Sequence, residues 1–349
     1  MLMGRLGQTE ADLERTLAAL PPSSGAVVMG TGIVSIALSL DGHETLAQIL
    51  LGVAAFVWVA LAALLIGRTV RDRPRFDHEA RSPAALAGVA GTAVLGTGFT
   101  LLGWDWAGVS LLALAVFAWA ALLAPVLSHW TTPTVGVSLL LTVATESLAV
   151  LAATLAVPEH ARWLLYAALA PFLLGLVFYL FVIARFDFGQ LERGCGDQWI
   201  TGGALAIASL AAARITLDTR ALATLGGDSG ALKGAALVLW GMTILWLPGL
   251  VLAEARRPRL HYDVRRWSTV FPLGMYAASS FTLGTTVHTA AITSFARVWI
   301  WVALAVWLIV FAAMLHHAPQ IARGQHPPIH PSRILEIAPT RHRAPQRSS

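Results

Sequence analysis

"STVFPLGMYAASSFTLGTT", residues Ser268 to Thr286, is apolar enough to enter a lipid bilayer, yet it is sown with glycine, serine and threonine and broken by the pair Phe271-Pro272. A helix facing lipid covers its backbone with large aliphatic side chains. Small residues and hydroxyls belong where helices approach one another closely or where they meet water. The segment therefore reads as a membrane helix shielded from lipid, which requires other helices to shield it.

The rest of the chain supplies them. Of its 349 residues 56% are hydrophobic and only 12% charged, about half the charged fraction usual for a soluble globular protein. A crossing needs about 20 mainly apolar residues to span ~30 Å of hydrocarbon. Ten segments qualify: 22–40, 45–67, 83–103, 107–127, 136–156, 163–184, 200–217, 235–253, 268–287 and 298–317. Residues 22–317 thus form an all-α integral membrane domain with short connections and no room for a soluble catalytic domain. Residues 1–21 alternate charges with leucines and lack the apolar core and cleavage site of a signal peptide, so they read as a short cytoplasmic segment. Residues 318–349, rich in Pro, His and Arg, are expected to be a disordered cytoplasmic tail.

Lys and Arg set the orientation, because they concentrate in cytoplasmic loops. With the N-terminus inside, 19 of the 24 fall on the inner side and 4 on the outer, Arg214 lying within a span. Both termini are expected in the cytoplasm, with the chain in the cell (plasma or inner) membrane. The net charge of +5 is spread over loops rather than gathered on one face, which argues against nucleic acid.

The ten segments are of two kinds. The odd-numbered ones hold 36 Gly, Ser and Thr residues against 9 in the even ones, while aromatic residues number 4 and 16 respectively. This reads as five helical hairpins, each pairing a slender helix with a bulky one. The odd helices form an inner ring around a pore, and the even ones an outer ring against lipid. A packed bundle joined by small-residue contacts explains the glycines equally well; the surplus of hydroxyls favours the pore. Proposed lining positions are Gly30, Thr31, Ser35, Thr92, Thr97, Thr142, Thr145, Ser209, Ser279 and Thr282.

Charges inside the spans are few. Glu146 lies halfway along the fifth, at a depth where an ionisable group costs at least ~2.5–3.5 kcal/mol and so faces a cavity or a partner. A bare carboxylate would repel an anion, so a proton or a cation must neutralise it. Arg214 in the seventh span is the available cation, at an axial offset of about 6 Å from Glu146 that an arginine can bridge. The two read either as an anion-attracting, proton-coupling pair or as a structural ion pair. All eleven histidines fall in loops, at span ends or in the tail. No H-E-x-x-H, no C-x-x-C and no Walker A sequence occurs, so no metal, cofactor or direct ATP drive is expected. The lone Cys195 forms no internal disulfide, and "GVAGTAVLGTG" (Gly88 to Gly98) sits inside a span, where helix packing explains it better than a nucleotide does.

"MGTGIVS" (Met29 to Ser35), the preceding "PPSSGAVV", "VATESLAVLAA" (Val143 to Ala153) and "TVFP" (Thr269 to Pro272) resemble the tellurite-resistance/dicarboxylate transporter family. That family includes the bacterial TehA proteins, fungal malate permeases and sulfite efflux pumps, and plant guard-cell slow anion channels. The likeness extends over about residues 20 to 317. It implies a quasi-fivefold ring of inner helices forming an anion pathway in each protomer, a homotrimer, and a phenylalanine on the ninth helix occluding the pore. By the Phe-Pro motif that residue is similar to Phe271. A helix starting at Trp267 puts Phe271 only about 6 Å along it, so the deeper Phe281 stands as a second candidate gate. The expected function is ATP-independent transport of a small anion such as chloride, nitrate, sulfite, malate or another C4-dicarboxylate. Its alternatives are a proton-coupled carrier of dicarboxylate or sulfite and a non-conducting structural or regulatory membrane protein. An enzyme is not expected.

Overall fold

The computed structural model describes residues 22–222, 229–259 and 262–322. The expected N-terminal segment and nearly all of the expected tail lie outside these residues. Pro21–Met314 form one compact unit, which contains everything below except the last turns of the final helix. Among the described residues there is no strand, only an isolated bridge between Thr134 and Phe186.

Ten long helices coincide with the ten apolar segments: α1 (Gly25–Leu40), α2 (Glu44–Arg71), α3 (Leu86–Leu101), α4 (Asp105–Ser128), α5 (Leu140–Ala156), α6 (Arg162–Ile183), α7 (Trp199–Ala221), α8 (Ser229–Arg256), α9 (Trp267–Val287) and α10 (Ala290–Ala322). Eight are long and apolar enough to cross a membrane, and the chain is a multi-pass membrane protein. The other two are α1, which has 16 residues, and α9, whose hydroxyls and glycines dilute its hydropathy. Several helices overrun their apolar segments. Hydropathy reports the depth of the bilayer, whereas the hydrogen-bonded ladder continues into polar sequence until something breaks it. Thus α10 reaches Ala322, five residues into the segment expected to be disordered.

Burial divides the helices as their compositions do. The spans 83–101, 136–156 and 199–221 are 72%, 100% and 89% buried, whereas those of α2, α4, α6, α8 and α10 are 17%, 11%, 28%, 22% and 22% buried. Nearly all of α1 and α9 is buried too. Contacts among the five buried helices close on themselves: α1 packs on α3, α3 on α5, α5 on α7, α7 on α9, and α9 returns to α1. Glycine permits these approaches. A Cβ at Gly203 of α7 would lie 2.9 Å from the Pro272 ring of α9, and one at Gly274 of α9 would lie 2.6 Å from Ile33 of α1.

The exposed helices are tied to the buried ones by tryptophan. Indole nitrogens donate from Trp58 of α2 to Thr92 of α3 (2.9 Å), from Trp119 of α4 to Thr145 of α5 (2.9 Å), from Trp240 of α8 to Ser280 of α9 (2.8 Å) and from Trp307 of α10 to Thr31 of α1 (3.0 Å). Three of the accepting hydroxyls pass their own proton to the carbonyl one turn back: Thr92 to Gly88, Thr145 to Leu141 and Ser280 to Tyr276. Each such group is saturated where no water need reach it, which is what burial of a hydroxyl demands.

Trp307→Phe and Thr31→Val, made singly and together, test this tie. Each single change lowers thermal stability, and the double-mutant cycle yields a coupling of about 0.6 kcal/mol. Strictly additive losses would mean that the indole–hydroxyl bond contributes nothing.

Candidate functional site

One face of each of the five buried helices borders a narrow, partly open cavity. Its walls are Ile33, Ile36 and Leu40 of α1; Val94, Thr97 and Leu101 of α3; Ser147, Val150 and Thr154 of α5; Ile207, Leu210 and Arg214 of α7; and Met275 and Thr282 of α9. Four helices contribute at i, i+3 and i+7 and the fifth at i and i+7, the spacing of one helical face. In α1 and α3 these residues lie in the C-terminal half of the helix, and in α5, α7 and α9 they straddle its middle.

The positions expected to line a pore fall either on this face or off it. Thr97 and Thr282 are on it. Thr31, Thr92 and Thr145 are not: they stand two residues before Ile33, Val94 and Ser147 and accept from the outer tryptophans. Ser35 donates to the Ala47 carbonyl of α2 at 2.6 Å, and Ser209 to the Ala236 carbonyl of α8 at 2.9 Å. Gly30 packs against Trp267 and Val270 of α9. Ser279 turns to the Tyr276 carbonyl of its own helix, and Thr142 is fully buried with no hydrogen bond among the described residues. None of these eight borders the cavity, and five of them, Thr31, Thr92, Thr145, Ser35 and Ser209, bond through their hydroxyls to one of the exposed helices. Ser147 and Thr154, absent from the expected set, do line the cavity. Their spacing from Val150 matches that of the other helices, a signal that composition does not carry.

Phe271 stands one turn before Met275 and continues the cavity-facing stripe of α9. Its neighbours fix it there: Val270 packs towards Gly30 of α1, and Pro272 packs towards Gly203 of α7. The ring is fully buried. A 3-10 turn, Val264–Arg266, precedes α9, so the helical path begins three residues before Trp267. Phe281 precedes Thr282 by one residue, about 100° around the helix. It continues the stripe of Val270, Gly274 and Ala277, which faces α1 rather than the cavity.

The expected contact between Glu146 and Arg214 is not formed. Arg214 Nε lies 2.7 Å from Asp218 Oδ2, one turn along α7. Glu146 instead points into the seam between α5 and α6, where a Cβ on Gly175 would lie 2.6 Å from its Cγ and Oε1. Both Glu146 oxygens are buried without a hydrogen-bond partner among the described residues. The pairing failed because axial distance was considered without azimuth: Ser147 faces the cavity and Glu146, about 100° away, does not. Asp218 escaped notice because the hydropathy limit of its span ends at residue 217. Among the described residues no group of three His, Cys, Asp or Glu side chains gathers as metal ligands do.

A cavity bounded by apolar side chains, four hydroxyls and one guanidinium suits a small anion. Comparison with known proteins bears on this. The model of the SLAC1 family, described as voltage-dependent anion channel, matches residues 19–315. The membrane proteins Rv1735c and MT1776 of Mycobacterium tuberculosis (strains H37Rv and CDC 1551) are each 40% identical over 124 residues, which cover 34% of this chain and 62% of theirs. The sulfite efflux pump SSU1 of Arthroderma otae is 26% identical over 97 residues, 27% of this chain and 26% of the pump. The matched part thus spans less than two thirds of these relatives.

Cysteine substitution distinguishes the two faces. In a Cys195→Ser background, cysteines at Ile36, Thr97, Val150 and Leu210 are expected to react with a small water-borne thiol reagent, and those at Thr31, Thr92 and Thr145 to resist it. Equal reactivity of both sets would contradict the assigned phase.

Proposed function

The chain belongs to the voltage-dependent anion channel family, and on that premise we propose that it passes small anions across a membrane along the axis of its five buried helices. The carrying observation is the convergence of one face of each helix on a single cavity with Arg214 in its wall. In this reading all ten helices cross as five hairpins, with α1, α3, α5, α7 and α9 inside and the others against lipid. The closed cycle of contacts and the split in burial support it.

The excess of Lys and Arg in alternate loops supports cytoplasmic termini, with the cell or inner membrane as the site of action. The cavity then opens toward the outer half, and the Phe271 ring closes the pathway beneath it. The substrate is a small anion of the class that includes chloride, nitrate, sulfite and C4-dicarboxylates such as malate, and likeness to sulfite efflux pumps supports sulfite among these. Each protomer carries its own pathway within a homotrimer, the assembly that the family resemblance implies.

A second reading, proton-coupled transport, is favoured by one observation, the unpartnered carboxyl of Glu146. The uncoupled pathway accounts better for its position, because the carboxyl lies in the α5–α6 seam and not among the cavity walls.

Flux into vesicles of reconstituted protein tests both readings. Phe271→Ala is expected to raise anion flux several-fold over the unmodified protein, whereas Phe281→Ala reduces stability without raising flux. Absence of flux of every anion from either form would refute transport. Glu146→Gln is expected to leave the pH profile of flux unchanged; a flattened profile would establish coupling through this carboxyl.

A further inference from the structure

The cavity wall carries one charged side chain, Arg214, and the structure gives it an unusual companion. Its Nε lies 2.7 Å from Asp218 Oδ2, and the side chains are 18% and 5% exposed. The contact is close but out of line for a hydrogen bond, so charge rather than direction holds it. The guanidinium's terminal nitrogens form no hydrogen bond with other described residues.

Three of the four cavity hydroxyls do not share the task of binding an anion. Thr97 donates to the Ala93 carbonyl (3.0 Å), Ser147 to Val143 (2.6 Å) and Thr154 to Val150 (2.8 Å). With their protons turned to their own helices, these groups offer the cavity only lone pairs, which an anion avoids. Arg214 is left as the strong donor, and its planar fork matches two oxygens of one small oxyanion. Asp218 presents a carboxylate to the same guanidinium from a tether one turn away.

We infer that Arg214 is an anion-binding station and that Asp218 is its built-in competitor, setting how tightly a small planar oxyanion such as a carboxylate is held before it moves on. An entering oxyanion takes the terminal nitrogens and weakens the hold of Asp218, and the tethered carboxylate regains the charge when the anion leaves. Without Asp218 the station would retain the anion; with it, binding stays loose enough for passage, as conduction requires. This rests on the anion-pathway reading and adds to it a named site and a means of release.

The test uses the full chain purified in detergent, with formate as the probe because it is the smallest free counterpart of the Asp218 head group, and chloride as the spherical control. Binding is read from the ligand-induced rise in thermal unfolding temperature, and flux separately in vesicles. Asp218→Asn is expected to tighten formate binding by up to about fivefold, and Arg214→Gln to abolish it. Arg214→Lys keeps the charge but loses the fork, so it should lower the preference for formate over chloride. Unchanged or weaker formate binding in Asp218→Asn, or undiminished binding in Arg214→Gln, would overturn the inference. If Asp218→Asn does not fold, the Arg214→Lys preference decides, an unaltered preference counting against the station. Intact flux with binding indifferent to these variants sinks the station alone. Arg214-dependent binding without any flux sinks the transport reading alone.

Discussion

A hydroxyl removed from water costs free energy until it finds a partner, and in this protein that requirement orients α1, α3, α5 and α9 against the exposed helices. Serines and threonines inside a membrane bundle can be satisfied by the carbonyl one turn back, by a neighbouring helix or by an indole. Thr92, Thr145 and Ser280 use two of these at once. Once they are held against the outer helices, the opposite face of each helix is free to converge on the axis. Thr31, Thr92 and Thr145 stand at one register relative to the cavity residues that follow them. The same device is thus repeated in three of the five sectors. In the other two it is replaced: α9 uses Ser280 further along, and at the corresponding place α7 has Leu205, a buried side chain that needs no partner.

Glycine and tryptophan are complementary parts of this arrangement. Glycine lets the buried helices approach so closely that side chains of one occupy the Cβ space of the next, as Pro272 does at Gly203 and Ile33 at Gly274. Tryptophan fills the wider gap to the outer helices and carries the single donor that reaches across it. The buried helices are drawn together by small residues, and the exposed helices are tied to them by long ones, so the unequal compositions of the two sets have a mechanical basis.

The ten helices were legible in the sequence because hydropathy records immersion in lipid directly, and the division into two sets was legible because lipid contact and helix contact select different side-chain sizes. The azimuth of individual residues was not. A hydroxyl that bonds its own helix is as comfortable in a seam as beside water, so an abundance of Ser and Thr announces close packing without saying which face is wet. Thr97 and Thr282 fall on the cavity face, and Thr31, Thr92 and Thr145 fall off it, though the same general reason selected all five. Comparing the i, i+3, i+7 pattern across all five helices would have separated them, since only one phase gives a consistent wall. Glu146 illustrates the other gap: depth along a helix can be estimated from sequence, but the side chain that meets it, Gly175 on α6, has no chemistry to advertise the contact.

The sequence Val270-Phe271-Pro272 then acquires a geometric meaning. Its first residue packs on α1 at Gly30 and its third on α7 at Gly203, so α9 is gripped on both flanks of the buried ring. Proline also withholds the hydrogen bond that the Ser268 carbonyl would receive, loosening the backbone just where the ring departs. Rolling α9 about its axis would drive Pro272 or Val270 out of a glycine-lined contact, and tight packing makes such motion expensive. In the proposed pathway, clearing the axis therefore requires either a change of side-chain rotamer at Phe271 or a parting of α1 and α7 from α9. The first needs space among the neighbouring cavity walls, and Met275, unbranched and adaptable, is the side chain one turn away that can yield it.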